Sequence, residues 1–259
     1  MVGRRILVGG TTIASLVALW FALTVSGAIS PGRFPSPGET LMSLRQIAIR
    51  GYANGLLHEH ILHSLKLVVM GFAVAVATGM PLGLLIGWSS RAEALINPSF
   101  LLIRPIPPLA WIPLAIIWLG LGDEAEAMVI WFAAFVPSVI NTYAGVRAIE
   151  PPILEAARML GTRRWRFVFE VLFPAALPMI FTGLRLSLQA SWTTLVAAEL
   201  VGALYGLGRV LNVAQQDIYP GMILVGMIAV AIFGFATTWA LALMEDRALV
   251  WNAAAAGSP

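Results

Sequence analysis

Long apolar runs separated by short polar stretches dominate the chain. An uncharged run over residues 6–25 follows Arg4 and Arg5, and further runs cover 65–88, 127–146, 178–198 and 218–244. Each is near the roughly 20 apolar residues that a helix needs to cross a bilayer. A sixth run, 104–121, opens on Arg104-Pro105-Ile106-Pro107-Pro108-Leu109-Ala110-Trp111-Ile112-Pro113. Its prolines remove backbone donors and disfavour a straight helix start. Irregular backbone at membrane depth is tolerated only where protein buries it or where it lines a cavity. The pattern predicts an all-α integral membrane protein with about six spans. It marks Pro107, Pro108 and Trp111 as a candidate cavity wall, the alternative being a kink that serves packing alone.

The polar stretches refine this picture. Ser26-Gly27-Ala28 loosely resembles a signal cleavage site, but the apolar run before it is longer than the 7–15 residues of a signal core, which favours a retained first span. In Ser36-Pro37-Gly38-Glu39 a serine N-cap, a first-turn proline and a glutamate three residues on make a capping box. The helix it starts places Leu41, Leu44 and Ala48 on one face, suited to lying on the outer membrane interface. His58, His60 and His63 are expected at a polar edge outside the second span, a metal site being the weaker reading in the absence of cysteine. Gly71, Gly79, Gly83 and Gly87 predict a close helix–helix seam. Arg91 and Glu93 mark a short loop. Asp123, Glu124 and Glu126 form an acidic outer turn. Arg185 interrupts the fifth span at a cost of about 2.5–3.5 kcal/mol if central, which neighbouring Leu, Ile, Phe and Val offset at about 0.3–0.6 kcal/mol each. It is expected to snorkel toward the inner interface.

Composition agrees: 59% of the 259 residues are hydrophobic and 11% charged, against about a quarter charged in soluble domains. The net charge of +3 does not point to nucleic acid, because no basic run is interleaved with exposed aromatics. It orients the chain instead. With the N-terminus inside, the inner side receives Arg4, Arg5, Arg91, Arg104, Arg147, Arg158, Arg163, Arg164, Arg166 and Arg247. The outer side receives Arg33, Arg45, Arg50 and Arg209, satisfying the positive-inside tendency. Both termini are then cytoplasmic.

Polar residues concentrate over 147–175. Glu150-Pro151-Pro152 signals a helix start, and Ile153, Ala156, Ala157 and Leu160 share a stripe. Gly161 fits a left-handed stop. Thr162 is expected to cap a second short helix running to Pro174. Two short helices meeting at a glycine make an elbow. Spacing alone leaves two readings level: a helix lying on anionic lipid, or a docking surface for a protein partner.

Glu155-Ala156-Ala157, three residues, Gly161, nine residues, then Val171-Leu172-Phe173-Pro174 resembles the EAA loop of bacterial ABC importer permeases. Val171 and Phe173 depart from the family's Ile-x-Leu-Pro ending but stay apolar. Phe34-Pro35-Ser36-Pro37, residues 104–111, Thr182-Gly183-Leu184-Arg185 and Leu195-Val196-Ala197-Ala198-Glu199-Leu200 resemble the nitrate/sulfonate/taurine branch. The resemblance implies a type I importer permease fold in a bacterial inner membrane. Its divisions would be an N-terminal transmembrane helix (1–28), a periplasmic segment (29–62), a permease core (63–248) and a cytoplasmic tail (249–259).

It also implies partners: two ATPase subunits, a second permease copy forming a homodimer, a periplasmic solute-binding protein and the surrounding lipid. Glu155 would contact the ATPase, Ala156 and Ala157 would permit close approach, Gly161 would allow the bend, and Arg158 and Leu160 would complete the coupling surface. The pathway would be lined by the proline-rich third span and by Gln189, Ser191, Thr193, Thr194 and Glu199. As a wall for an anion Glu199 would need pairing, with Arg209 as the candidate partner, and a structural role for Glu199 competes. The solute would be small and anionic or zwitterionic, taurine or another alkanesulfonate before nitrate. No catalytic residue and no cofactor are expected in this chain; ATP and Mg belong to the ATPase. A phosphate-binding loop needs Gly-Lys followed by Ser or Thr, and the only lysine, Lys66, precedes Leu67. The competing classes are a secondary transporter, which needs titratable residues within its spans, and an intramembrane enzyme, which needs paired carboxylates or histidines there.

Overall fold

The computed structural model describes residues 2–26 and 34–249. The expectations for Gly27, Ala28 and Arg33, and for the tail beyond Leu249, lie outside the described residues. In chain order the helices are α1 (Val2–Val25), α2 (Pro37–Ile49), α3 (Leu57–Trp88), α4 (Ser90–Ile103), a 3-10 turn (Pro108–Trp111), α5 (Ile112–Leu119), α6 (Asp123–Arg147) and α7 (Pro151–Met159). There follow α8 (Arg164–Arg166), a π-helical turn (Phe167–Leu172), α9 (Phe173–Gly202), α10 (Leu207–Gln216) and α11 (Pro220–Ala248). Among the described residues, four helical stretches are long and apolar enough to cross a membrane: Leu57–Trp88, Asp123–Arg147, Arg164–Gly202 and Pro220–Ala248. The bent pair Ser90–Ile103 and Pro108–Leu119 makes a fifth, and α1 carries a shorter apolar stretch, Gly9–Thr24.

Two corrections follow. The short loop expected at Arg91 and Glu93 is instead α4, N-capped by Ser89, whose side chain accepts from the Ala92 N–H. The third span is therefore broken, its halves meeting at 83°. Pro105 and Pro107 sit in the break and Pro108 opens the second half, where missing donors cannot sustain a helical ladder. The second correction is that no helix ends at Pro174. The Phe173 N–H bonds the Val168 carbonyl five residues back. This wider turn accommodates the proline that follows, which in an α-helix clashes with the carbonyl four residues earlier.

The chain divides into two units, with boundaries inside α3 after His63 and inside α11 after Ala231. In the unit formed by residues 1–63 and 204–231, α2 packs through Thr40, Ser43 and Ile47. Leu41, Leu44 and Ala48 stay exposed, which keeps that apolar face available to lipid. The predicted capping box is present: Ser36 N–H donates to Glu39 Oε2 (2.7 Å) and Glu39 N–H to Ser36 Oγ (3.2 Å). The core joins Ile47 to Val210, Ala214, Met222 and Val225, three of its helices being α2, α10 and α11. The sequence reading missed α10 and began the last span at 218.

Helix α3 begins at Leu57, ahead of the expected span, so the histidines lie in its first turns. His60 is fully buried; its Nδ1 accepts from the Gly206 N–H (3.0 Å), so Nε2 carries the proton and donates to the Tyr52 carbonyl (3.0 Å). Tyr52 Oη donates to Asp217 Oδ2 (2.6 Å). Burial, and then the hydrogen bond to Asp217, push the Tyr52 phenol above its ordinary range.

In the unit formed by residues 64–203 and 232–259, α6 is the central helix. The four glycines of α3 meet it as expected. A Cβ on Gly83 would lie 2.7 Å from Thr142 Cβ and from the Val139 carbonyl, and one on Gly87 2.7 Å from Val146 Cβ. On its other side α6 packs on α9. A Cβ on Gly183 would lie 2.6 Å from Asn141 Cβ, and Ser187 Oγ donates to the Ala134 carbonyl (2.7 Å). Such small-residue seams hold helices together in lipid by close packing.

Candidate functional site

Helix α7 starts at Pro151 as its Glu150-Pro151-Pro152 signal requires. It ends in a Schellman motif: the Thr162 N–H donates to the Ala157 carbonyl (3.3 Å) and the Gly161 N–H to that of Arg158 (3.0 Å), with Gly161 at φ +67°. Thr162 does not cap the next helix. Its Oγ1 donates back to the Ala157 carbonyl at 2.7 Å, locking the end of α7.

The expected stripe divides. Ala157 turns inward, 7% exposed, into a cluster with Val146, Ile149, Phe167, Leu172 and Ala176, and Leu154 packs beside it. Ile153, Glu155, Ala156, Arg158 and Leu160 stay exposed. Met159 and Leu160 are 87% and 84% exposed. This helix is thus held to the core through Ala157 and Leu154 and closed by three capping bonds, while its other apolar groups and its charged groups face outward. Burying such groups against a partner is favourable at about 25 cal/mol per Å² of apolar area.

The candidate pathway residues on α9 lie on two faces. Ser191 and Thr194 are buried toward the bundle, and Ser191 Oγ donates to the Ser187 carbonyl at 2.9 Å. Glu199 is 1% exposed and accepts from Ser64 Oγ at 2.6 Å, a bond that fastens α3 to α9. Gln189 and Thr193 are exposed and, with Arg185, stand at four-residue spacing on the opposite face. There they line an open groove of about 460 Å³, together with Trp192, Phe235 and Thr238. Arg185 is ion-paired with Glu245 near the end of α11.

The broken third span presents Pro107 at its exposed bend, with Pro108 half-buried. Trp111 is not free, since it stacks on Phe132 of α6 at 4.3 Å and 10°. Beyond it, α5, α6 and α9 line a small, partly open cavity of about 20 Å³ that includes Glu126 in its wall. Glu126 is buried, and its Oε2 has no hydrogen-bond partner. The cavity has room for one water. Sequence reasoning placed Glu126 in an acidic outer turn and passed over Thr238 and the Arg185–Glu245 pair; the signal for the groove was the regular spacing of Arg185, Gln189 and Thr193. Among the described residues no group of three or more His, Cys, Asp or Glu is placed to hold a metal.

Comparison with known proteins agrees with this architecture. The chain is 34% identical over 250 residues to the taurine transport system permease protein TauC of Escherichia coli strain K12, covering 96% of this chain and 91% of that protein. It is 32% identical over 239 residues to a putative aliphatic sulfonates transport permease protein, SsuC, of Bacillus subtilis strain 168 (92% and 85% covered). It is also 32% identical over 247 residues to the bicarbonate transport system permease protein CmpB of Synechococcus elongatus (92% and 85%). In fold it is similar to a chain of the MetNI methionine ABC transporter in an inward-facing conformation, with TM-score 0.65 and 20% identity, covering 74% of this chain and 95% of that one. Residues 79–250 match the family described as the binding-protein-dependent transport system inner membrane component. The chain belongs to that family and is an ABC importer permease of the nitrate/sulfonate/taurine branch, a multi-pass protein of the inner membrane.

Proposed function

We propose that this permease is driven by a separate ATPase through α7 and imports a small anionic or zwitterionic solute, an alkanesulfonate such as taurine by preference, with nitrate and similar anions next. The supporting observation is the α7 elbow, a helix seated on the core through Ala157 and Leu154 and closed by its Schellman bonds, with Ile153, Glu155, Met159 and Leu160 turned outward. A nucleotide-closed ATPase dimer holding two such elbows together shifts the permease toward its outward-facing state. It does so only as far as its affinity differs between the two states, so rigidity at α7 is what transmits the shift.

Two permease copies, two ATPase subunits binding ATP and Mg, and a periplasmic binding protein complete the assembly. Both termini face the cytoplasm, in keeping with the arginine distribution. The solutes named for the similar permeases, taurine, aliphatic sulfonates and bicarbonate, share a small oxyanion head. The open face of α9 and the bend at Pro107 and Pro108 form the pathway wall, while Ser191, Thr194 and Glu199 hold the helices that carry it. Buried Glu126 and Glu199 are the one feature that favours an ion-coupled secondary transporter.

Co-purification tests the coupling. The ATPase stays bound to wild type and to Gly161→Asn, and is lost with Glu155→Arg and with Gly161→Leu. Retention of the ATPase by both of the latter variants would overturn the proposal.

A further inference from the structure

The open face of α9 carries a cation whose counter-charge lies behind it. Arg185, Gln189 and Thr193 rise along one stripe, about 6 Å per four-residue step. Of the Arg185–Glu245 pair, the arginine side chain is 46% exposed and the glutamate 15%. Arg185 lines the groove and Glu245 does not. The groove therefore sees a guanidinium fork beside a glutamine amide and two threonine hydroxyls, over buried Trp192 and with exposed Phe235 at its edge. Polar and charged side chains within spans face water-filled cavities or protein rather than hydrocarbon. A guanidinium binds an oxyanion through two parallel N–H donors, a geometry that sulfonate shares with carboxylate and phosphate.

We propose that Arg185 is the specificity-determining anion ligand of the transport groove, and that Glu245 is its exchangeable counter-ion. With the groove empty, Glu245 satisfies the guanidinium. When the solute's oxyanion arrives, it takes over one edge of the fork, and the Gln189 amide donates to a remaining oxygen. Thr193 Oγ1 turns to another from the Ala190 carbonyl to which it otherwise donates (3.0 Å), and the alkyl chain lies along Trp192 and Phe235. When the solute leaves, Glu245 closes on Arg185 again. The competition keeps binding weak enough for release, as conduction requires. This proposal rests on the reading of the chain as an importer of small anions and adds the residue that selects their charge.

The chain has no cysteine, so Thr193→Cys places a single thiol on the groove wall. In membranes holding the assembled transporter, labelling of this chain by 2-sulfonatoethyl methanethiosulfonate, itself an alkanesulfonate, is compared with labelling by its trimethylammonium counterpart. Each rate is normalised to a free thiol. The anionic reagent is favoured; Glu245→Gln raises that preference about tenfold, and Arg185→Gln lowers it about as much. The double variant Arg185→Gln/Glu245→Gln carries no unpaired charge and labels near parity, so the test stands even if the single arginine variant fails to accumulate. Added ethanesulfonate slows labelling only where Arg185 is present.

The same reagent preference in wild type and in the double variant overturns the assignment. So does a thiol that neither reagent reaches, which puts lipid or a second copy of the chain on this face. Labelling needs no ATP. Loss of charge preference with intact ATP-driven uptake therefore removes Arg185 alone, whereas intact preference without ATP-driven uptake removes the importer reading.

Discussion

Gly183 and Gly161 are the same residue type in two regions that need it for opposite reasons. Gly183 lies within the helical span of α9 against α6, where a Cβ would come 2.6 Å from Asn141 Cβ. Gly161 closes α7 at φ +67° with nothing within 4 Å of where its Cβ would be. The first position forbids atoms, and the second forbids an ordinary L-residue backbone while leaving room for any side chain. The seam region holds helices together, and the elbow holds one helix out. Stability is concentrated in the first, and the coupling proposed above would act through the second.

Substitutions can break that distinction. Gly183→Leu is expected to have the largest effect, with no folded protein accumulating in the membrane. Gly183→Ala loses about 1–3 kcal/mol to overpacking, read as a lower thermal midpoint in detergent. Gly161→Leu costs about 1–2 kcal/mol of left-handed strain. It still inserts, but it loses ATP-driven uptake. Asparagine separates the two sites most sharply, because it adopts the left-handed region: Gly161→Asn transports, and Gly183→Asn does not fold. The reverse outcome would undo the comparison.

Smaller still is Thr162→Val, which removes one bond to the Ala157 carbonyl worth about 0.5–1.5 kcal/mol. Faster amide hydrogen exchange in the last turn of α7 is its expected signature, with unchanged exchange in α6. A control outside both regions is Tyr52. Its phenol titrates higher folded than unfolded, so the stability it contributes is complete below the unfolded value near pH 10 and is lost as pH rises beyond it. Tyr52→Phe flattens that alkaline loss, measured as the thermal midpoint against pH.

How much of this was legible in the sequence follows from what each residue depends on. The α3 glycines, the Ser36 capping box, the start of α7 at Pro151 and the Gly161 stop are local signals, and all are found where spacing placed them. The stripe on α7 was not legible, because an alanine suits either an inward or an outward face; only the cluster around Phe167 and Leu172 turns Ala157 inward. Pro174 reads as a helix stop until the Phe173–Val168 bond shows a π-turn carrying the helix past it. Helix α4 was hidden by its charges, although Glu93 is held by Tyr143 (2.6 Å) and paired with Arg147 on α6. Arg185 lay in plain view, but its partner Glu245 is 60 positions away, beyond any local pattern.

The driven nature of transport is tested most directly by uptake into proteoliposomes. Vesicles containing this permease with its ATPase and binding protein are compared, with and without ATP inside the coupled compartment, against vesicles containing the permease alone. Labelled taurine is expected to accumulate only in the complete, ATP-supplied vesicles. Accumulation by this chain alone, without ATP, would contradict the assignment of α7 as the point through which import is driven.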